Sequence, residues 1–533
     1  MTSVSVWPQP MNFTTQNGHT YFLNPAAFAF KAVGPAAASD VLSSAFQRYH
    51  GLTFAWGAGE PGNAPAPVAP DTFALGGLTV NVLSADETLG RATNESYTLN
   101  ITDDGTNAIA TLTAETVFGA LRGLETFSQL AQYHLDTQYY QMAGLLVVDQ
   151  PRYPYRGIML DVARHFIPVP TVLDVLDAMS YHKFNVMHMH LIDTESWPLV
   201  IESYPRLAGW AAYSNFSHTY SKDDIASIVD YARLRGIRVI PEIDTPAHSD
   251  IIKKAYPQFL TLCDCDGNDC AKGDTFRSMP DPTNPDTWKF LTSVFTEVRD
   301  MFPDEAFHIG GDEWWPAWNS APAVQAFMKV NNYTDVVQVY HYYERQVIDI
   351  MRQLGKKTVV AWEDIAAFPQ LHQNDKYTYD DYQDVVLDVW AGWIGHGGSW
   401  QSSFEQYTSL NASVILTGPW YVDSESQHIY DSLWSQFYLV NPGNWSGTAA
   451  QQAKVLGGHV CAWDDAMNGD SANVLSLLFP VSAAVAEVLW SPEWVTVKNE
   501  AHGRMVGHRC RLVQREVPAG PIEIGYCPIE YQS

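Results

Sequence analysis

Eight short apolar runs recur between Tyr155 and Trp463, each ending in polar or aromatic residues: RGIMLDVA, NVMHMHLID, IRVIPEID, FHIGGDE, TVVAWED, VVLDVWAG, SVILTGPWY and VLGGHVCAW. Most are followed by a helical pattern, plain in VLDVLDAMSYHK, KDDIASIVDYARLRG and the long segment around VVQVYHYYERQVIDIMRQLG. Only the fifth connection, AAFPQLHQNDKYTYDDYQ, lacks a helical period. Eight such units are what a (β/α)8 TIM barrel requires, an α/β fold. Ser221 followed by Asp224 in YSKDD reads as a capping box that starts one of the outer helices.

The 533-residue chain is long enough for a second, smaller domain beside the barrel. Alternating stretches such as LTVNVLS and SYTLNIT, then a helical ETVFGALRGLETFSQLAQYH, predict an α+β domain over residues 1–150. The two prolines between Gln150 and Pro154 mark its end. The barrel is expected over 151–505, with 506–533 as a C-terminal tail packed on it. Cys510 and Cys527 flank a strand-like segment there and are placed to staple it. Six cysteines are too few for a disulfide framework, and Cys263, Cys265 and Cys270 share one loop without the further Cys or His that a zinc site needs.

A net charge of -28 repels phosphate backbones and anionic lipid head groups, which argues against nucleic acid as a partner. No run of 18 apolar residues exists, so membrane insertion is not expected. The start, MTSVSVWPQPMNF, lacks a signal peptide's basic and apolar regions, yet N-x-S/T triplets stand at Asn12, Asn94, Asn100, Asn215, Asn332, Asn411 and Asn444. Seven acceptors fit a chain that enters the secretory pathway behind a leader this sequence does not contain.

Barrel active sites lie at the C-terminal ends of the strands. Those ends carry Asp161 and Arg164, Asp193, Asp244 with His248, Asp312 and Glu313, Glu363 with Asp364, Trp390, Trp420 with Tyr421, then Trp463 with Asp465. Acids and one arginine suit sugar hydroxyls, and indole rings suit the apolar face of a sugar, so a neutral glycan fits better than a phosphate. Asp161 reads as structural, bonding near Arg164 or Arg156. His188 and His190 form H-x-H on a strand, but no further His cluster or carboxylated-lysine candidate completes a metal site, so they and His308 read as hydrogen-bonded interior histidines.

Glycoside cleavage commonly uses two carboxyl groups flanking the bond, about 5 to 5.5 Å apart for retention and about 6.5 to 9.5 Å for inversion. Asp312 and Glu313 are sequence neighbours and are not naturally placed on opposite faces of one carbon. A different division fits them: one acid protonates the leaving oxygen, while the other orients a substrate acetamido group that itself attacks the anomeric carbon. Two glycines before the pair let a substrate approach the backbone closely.

HIGGDEWW, at His308 to Trp315, resembles the H-x-G-G-D-E signature of the family 20 glycoside hydrolases, the β-N-acetylhexosaminidases. RGIMLDVARHF, NVMHMHLID, YARLRGIRVIPEIDTPAH, GPWY, AVAEVLWS and the N-terminal VWPQP and ETVFGALRGLETFSQL resemble the family's eukaryotic lysosomal type in the same order, over nearly the whole chain. The resemblance implies a retaining, substrate-assisted, exo-acting enzyme that removes terminal GlcNAc or GalNAc. It implies Glu313 as acid and base and Asp312 as holder of the acetamido group. Tyr421 would bond the acetamido carbonyl, Arg164 and Asp193 the outer hydroxyls, and Trp362, Trp390 and Trp463 would wall the pocket. Asp244 and His248 would hydrogen-bond toward the acid and tune it, His248 beside the substrate, with His308 behind. It implies no metal or organic cofactor, a homodimer, and a lysosomal or secreted location.

Where the family commonly reads G-G-E-A-C-M-W-G-E, this chain reads GGHVCAWDD, so His459 replaces a Glu and Asp465 replaces the Glu that binds outer hydroxyls. The shorter Asp465 loosens discrimination between gluco and galacto epimers. Thr194 replaces a second Asp often found after Asp193, and VDSES after Tyr421 is acidic, which favours neutral glycans. Cys263 matches a family disulfide cysteine whose usual partner is absent; it either pairs locally with Cys270 or stays free. Two other readings remain open from sequence: a catalytically weak glycan-binding homologue, and a conventional glycosidase with Glu363 or Asp364 as nucleophile.

Overall fold

A computed structural model describes residues 5–55, 73–134, 139–261, 278–314, 317–366, 383–391, 398–423, 433–464, 470–523, 525 and 527. Cys263, Cys265, Cys270, Asp465, Glu425 and nearly all of the fifth connection lie outside these.

The N-terminal strands are β1 (Asn12–Leu23), β2 (Ala29–Val33), β3 (Gly77–Val82), β4 (Tyr97–Asp103), β5 (Ala108–Ala114), β6 (Gln132–His134) and β7 (Tyr139–Asp149). They form one mixed sheet in the order β1-β7-β4-β5-β3-β2, with β6 paired to β7. LTVNVLS and SYTLNIT supply β3 and β4, whose buried residues alternate with half-exposed ones as a sheet covered on one face demands. The covering helices are α1 (Asp40–Thr53) and α2 (Val117–Leu130). α2 stops earlier than its periodicity predicts, because Gln132–His134 pair with β7 instead.

Every residue of α2 is buried, which its sequence alone does not explain, since Arg122, Glu125 and Gln129 lie on it. One face covers the sheet and the other meets the barrel, where Arg122, Glu125 and Gln129 each find partners. Arg122 donates to Glu95 and to the carbonyls of Arg235 and Gly236, Arg515 donates to Glu125, and Gln129 bonds the backbone of Trp7.

The eight predicted runs become eight parallel strands: β8 (Tyr155–Asp161), β9 (Val186–His190), β10 (Arg238–Glu242), β11 (Ala306–His308), β12 (Thr358–Trp362), β13 (Val385–Val389), β14 (Ser413–Leu416) and β15 (Val455–Ala462). They close in order, β15 pairing with β8. The expected helices pack outside at Val169–Tyr181, Lys222–Arg233 and Val337–Gln353, the second with the capping box of Ser221 and Asp224. Cys510 and Cys527 are disulfide-bonded, but Cys510 lies on the helix Lys498–Gln514 and no strand separates the two among the described residues. That helix also runs through the boundary expected at 505, so no break in structure marks the start of a tail there.

The two cores exchange tryptophans. Trp7, from the segment before β1, sits in the barrel's hydrophobic cluster and donates its indole N–H to Ala483 O at 2.8 Å. Trp490, from the barrel's helix Val481–Trp490, sits in the cluster under the sheet. Between them Glu95 accepts two hydrogen bonds from Arg156 at 2.7 Å, one from Arg122 at 2.8 Å and one from Asn185 at 3.0 Å. Removing one partner of a buried ion cluster leaves the others charged and uncompensated. Glu95→Gln is therefore expected to cost about 3–5 kcal/mol, measured by denaturant unfolding. A loss under 1 kcal/mol, an exposed pair's ceiling of roughly that size, would show that the two arginines find other partners.

Candidate active site

Glu242, at the end of β10, organises the barrel's upper interior. His188 and His190 stand two residues apart on β9, so their rings share a face, and both reach Glu242 Oε2, at 2.8 and 2.6 Å. His308 Nδ1 lies 3.2 Å from Oε1, and the Trp362 indole donates to Oε1 at 2.9 Å. Burial opposes the charge on Glu242, but the three rings outweigh it and hold the carboxyl well below its usual range. In return, and again against burial, Glu242 raises His190 well above the usual histidine value and His308 to about 9.

His190 passes the contact outward. Its Nε2 lies 2.8 Å from Asp193 Oδ2, and Asp193 receives Arg164 Nη2 at 2.8 Å and His248 Nδ1 at 3.2 Å. Asp161, as expected of a structural residue, takes Arg164 Nη1 at 3.1 Å and caps the turn through the N–H groups of Ala163 and Arg164. The Arg164 guanidinium lies 5.2 Å from the centre of the Trp463 ring.

Asp312 and Glu313 follow Gly310 and Gly311, both at positive φ, and Glu313 itself has φ 50. That left-handed turn brings both carboxylates to the same imidazole: His248 Nε2 is 3.6 Å from Asp312 Oδ2 and 3.4 Å from Glu313 Oε2. The backbone is held by Gly311 N–H on Asp244 Oδ1 at 3.2 Å, Glu313 N–H on Asp364 Oδ1 at 3.3 Å, and the Tyr340 hydroxyl on Gly311 O. The two carboxyls differ sharply in exposure: Asp312 is 12% exposed at its side chain and Glu313 38%.

Their protonation differs accordingly. Burial, then Asp244, pushes Asp312 well above the carboxylate range, while the hydrogen bond from His248 lowers Glu313. Burial works against a charged His248, but Asp193, Asp312 and Asp244 outweigh it and raise its pKa well above the usual value. His248 thus stands beside Glu313, and as a cation it depresses the acid. Burial raises Asp244 to about 7.

The aromatic residues divide. Trp463, Trp390 and Tyr421 are partly exposed, and all three pack on a buried cluster of Met159, Trp362 and Cys461. Trp362 is only 1% exposed and lies 5.7 Å beneath Trp463, which makes it floor rather than open wall. Tyr421 stands 6.3 Å from Trp463. Glu363 turns away from the cavity to accept the N–H groups of Trp390 and Ala391, at 3.1 and 2.6 Å. Asp364 holds the Trp390 indole at 2.7 Å.

Sequence reasoning overlooked Glu242 and Glu195. The first is a strand residue with no motif of its own, whose signal is a lone acid inside an apolar run facing H-x-H on the neighbouring strand. Glu195, half-exposed and 3.7 Å from Arg164 Nε, extends the acidic rim beyond Asp193. Six of the seven N-x-S/T asparagines are exposed, while Asn100 is half-buried and accepts Gln16 Nε2 at 3.1 Å.

The model of the glycosyl hydrolase family 20 catalytic domain matches residues 153–493, and one described as beta-acetyl hexosaminidase like matches residues 6–130. The beta-hexosaminidase subunit beta of Felis catus is 34% identical over 99% of this chain and 95% of its own length. Subunit alpha of Rattus norvegicus is likewise 34% identical, over 99% and 96%. Among solved structures, the chitobiase of Flavobacterium johnsoniae superposes with a TM-score of 0.79 at 26% identity, covering 96% of this chain and 73% of that one.

Gly310 admits no side chain. Its φ is +73, and a Cβ would fall on the Asp244 carboxylate. Gly310→Ala is expected to destabilise by about 2–4 kcal/mol, combining left-handed strain with overpacking. Thermal unfolding measures this, and an unchanged midpoint would mean that Asp244 is free to move aside.

Proposed function

This chain belongs to glycosyl hydrolase family 20, and from that premise we propose that it is an exo-acting β-N-acetylhexosaminidase that removes terminal GlcNAc or GalNAc with retention, using the substrate's acetamide as nucleophile. The observation that carries the reading is the placement of Asp312 and Glu313 side by side on one histidine, 3.6 and 3.4 Å from His248 Nε2, instead of facing each other across a cleft. Adjacent carboxyls sharing one histidine suit a division of labour other than that of a pair flanking the bond. One can serve the leaving oxygen while the other serves a neighbouring group of the same sugar.

In the first step Glu313 gives its proton to the glycosidic oxygen. The acetamido oxygen attacks C1, the C1–O bond breaks, and an oxazolinium ion forms. Ionised Asp312 holds the acetamido N–H and stabilises the developing positive charge, with Tyr421 on the carbonyl oxygen. In the second step Glu313 takes a proton from water, which attacks C1, and the ring opens to the retained product. Arg164 and Asp193, already locked to each other, bind hydroxyls at the non-reducing end, Asp465 completes that set, and Trp463 and Trp390 stack on the sugar.

In the free site the surroundings pull the two acids away from the states the cycle needs. His248 favours ionised Glu313, and burial favours protonated Asp312, whereas the reaction needs the reverse. An amide N–H bound to Asp312 stabilises its carboxylate and returns the proton to Glu313. Binding of the acetamido group thus arms the acid, and the dyad titrates as a pair.

Glu363 and Asp364 are occupied by the N–H groups of Trp390, Ala391 and Glu313 and serve as supports, not nucleophiles. His459 is wholly buried in the barrel, so its replacement of a glutamate leaves the mouth of the site intact. No helix among the described residues is long and apolar enough to cross a membrane. A lysosomal or secreted location, glycosylation at the exposed sequons and a homodimer follow from the same reading; the relatives' description as subunits supports the last.

Hydrolysis of an aryl N-acetyl-β-glucosaminide tests the assignment. Glu313→Gln should lower kcat by about 10²–10⁴-fold and Asp312→Asn by about 10²–10³-fold. Cleavage of an aryl β-glucoside lacking the acetamido group at a comparable kcat/KM would overturn the mechanism.

The pH profile tests His248. The pair works with a single proton, so activity falls at low pH as it gains a second and at high pH as it loses the last, and the His248 cation lowers both steps. His248→Gln should therefore move both limbs of the kcat/KM profile upward. An unmoved profile would mean that His248 is neutral in the working enzyme.

A further inference from the structure

The Arg164 guanidinium can only donate hydrogen bonds, so a sugar hydroxyl that it holds must give its own proton to another group. Three described carboxylates flank the guanidinium, those of Asp161, Asp193 and Glu195. The first two are fully engaged. Asp193 Oδ1 accepts Thr194 N–H at 2.6 Å and faces His248 Nδ1 at 3.2 Å, while Oδ2 meets His190 Nε2 and Arg164 Nη2, both at 2.8 Å. Asp161 Oδ1 accepts the N–H groups of Ala163 and Arg164 at 3.0 and 3.1 Å, while Oδ2 accepts Arg164 Nη1 at 3.1 Å and Asp464 N–H at 3.3 Å. An ionised carboxylate has about four acceptor positions, and each of these two fills them all. Asp193 can take a hydroxyl proton only by releasing a partner.

Glu195 releases nothing. The Asp193 N–H bonds Ser196 O at 3.1 Å, which closes a tight bend just past β9 and puts Thr194 and Glu195 at its tip. From there the carboxyl reaches back to the third edge of the arginine, with Oε2 3.7 Å from Nε. That separation is longer than a hydrogen bond, so the contact is electrostatic and leaves the acceptor positions of the carboxyl open. Oε2 is shut off from solvent and accepts no hydrogen bond, whereas the side chain as a whole is 38% exposed. One oxygen therefore lies against the arginine while the remainder of the group is open. Burial, then Asp193, raises the pKa of Glu195 above the usual range. Either state serves a hydroxyl, since the carboxylate accepts and the acid both donates and accepts.

We propose that Glu195 is a specificity-determining residue of the pocket, taking the proton of a ring hydroxyl whose oxygen is held by Arg164 at the non-reducing end of the terminal sugar. This role rests on the hydrolase reading, which places a terminal sugar there. Asp161 and Asp193 aim the arginine, and Glu195 joins it in reading the sugar. An acid at the tip of a bend looks in sequence like a solvated turn residue. Its meaning appears only when β8 carries Arg164 to the side of β9.

Steady-state hydrolysis of an aryl N-acetyl-β-glucosaminide and of its 3-, 4- and 6-deoxy analogues, by the full chain and by Glu195→Ala, tests the contact. With the parent substrate Glu195→Ala should raise KM about 10- to 100-fold, the range for one hydrogen bond to a charged group. Its kcat should stay within about threefold, because the contact holds substrate and transition state alike. The deoxy series separates contact from scaffolding. On the analogue that lacks the bonded hydroxyl, variant and wild type should differ by less than about twofold, while the full loss persists on the other two. Glu195→Gln keeps an acceptor oxygen and should recover part of the loss. Equal losses on all three analogues overturn the proposal, since Glu195 then acts only by placing Arg164. An unchanged KM in a Glu195→Ala chain that circular dichroism shows to be folded overturns it as well. Should that variant not fold, the wild type decides: less than about threefold loss on every deoxy analogue leaves no hydroxyl for Glu195 to read.

Calorimetric titration of N-acetylglucosamine and its deoxy forms into both proteins repeats the comparison without turnover. A wild type that binds these sugars and cleaves none overturns the hydrolase reading, and Glu195 is then judged on the binding data by the same criteria. A wild type that neither binds nor cleaves overturns both.

Discussion

The active end of this barrel depends on one buried carboxylate. Glu242 has no exposure and meets three imidazoles and an indole, so it fixes the tilt of His188, His190, His308 and Trp362 together. A lone carboxylate at that depth would shed its charge. Here it keeps the charge because cations surround it, and His190 and His308 are cations because it is there. From His190 the same alternation of sign runs through Asp193 to Arg164 and His248, and ends on Asp312 and Glu313. The pocket is the outer end of an ionic chain whose inner end is sealed in the barrel.

This continuity explains how two adjacent acids are kept different. Both touch His248, so the cation does not by itself distinguish them; the distinction comes from depth and from Asp244. Asp312 lies deeper and faces Asp244, which raises it, while Glu313 reaches solvent on a residue with a left-handed backbone. The two glycines are the price of that geometry: Gly310 leaves room for Asp244, and Gly311 lets its carbonyl meet the Tyr340 hydroxyl. The D-E pair works as a unit because the chain bends sharply enough to turn consecutive side chains toward one partner.

Much of this was legible in the residues. The eight strands follow from apolar runs, because strands buried on both faces leave no alternation to misread. Arg164, Asp193, His248, Asp312, Glu313 and Trp463 were legible from their place at strand ends, and the structure brings them together. What could not be read depends on distance in sequence. Glu242 is a single acid in IRVIPEID, and its meaning appears only when β9 is laid beside β10. The hydrogen bonds that hold Glu363 and Asp364 as supports come from Trp390 and Ala391, just past the end of the next strand. The helix α2 ended early because β7 claimed its last residues, a competition that periodicity does not weigh. The strand-like reading between Cys510 and Cys527 failed for a similar reason: a helix packed on the barrel reaches Cys510 first.

The exchange of Trp7 and Trp490 bears on why the sheet accompanies the barrel at all. α2 has no solvent face, so separating the sheet from the barrel would bare its apolar side chains to water and trade the protein partners of Arg122, Glu125 and Gln129 for solvent. Glu95 stands in the same position, since its two arginines come one from each side. The loop that holds Glu95 and the strand β8 that holds Arg156 are thus fixed to each other by charges that neither could bury alone. β8 ends in Asp161, which positions Arg164. The sheet, none of whose described residues lies among the cavity residues named above, therefore sets the strand on which the recognition arginine stands.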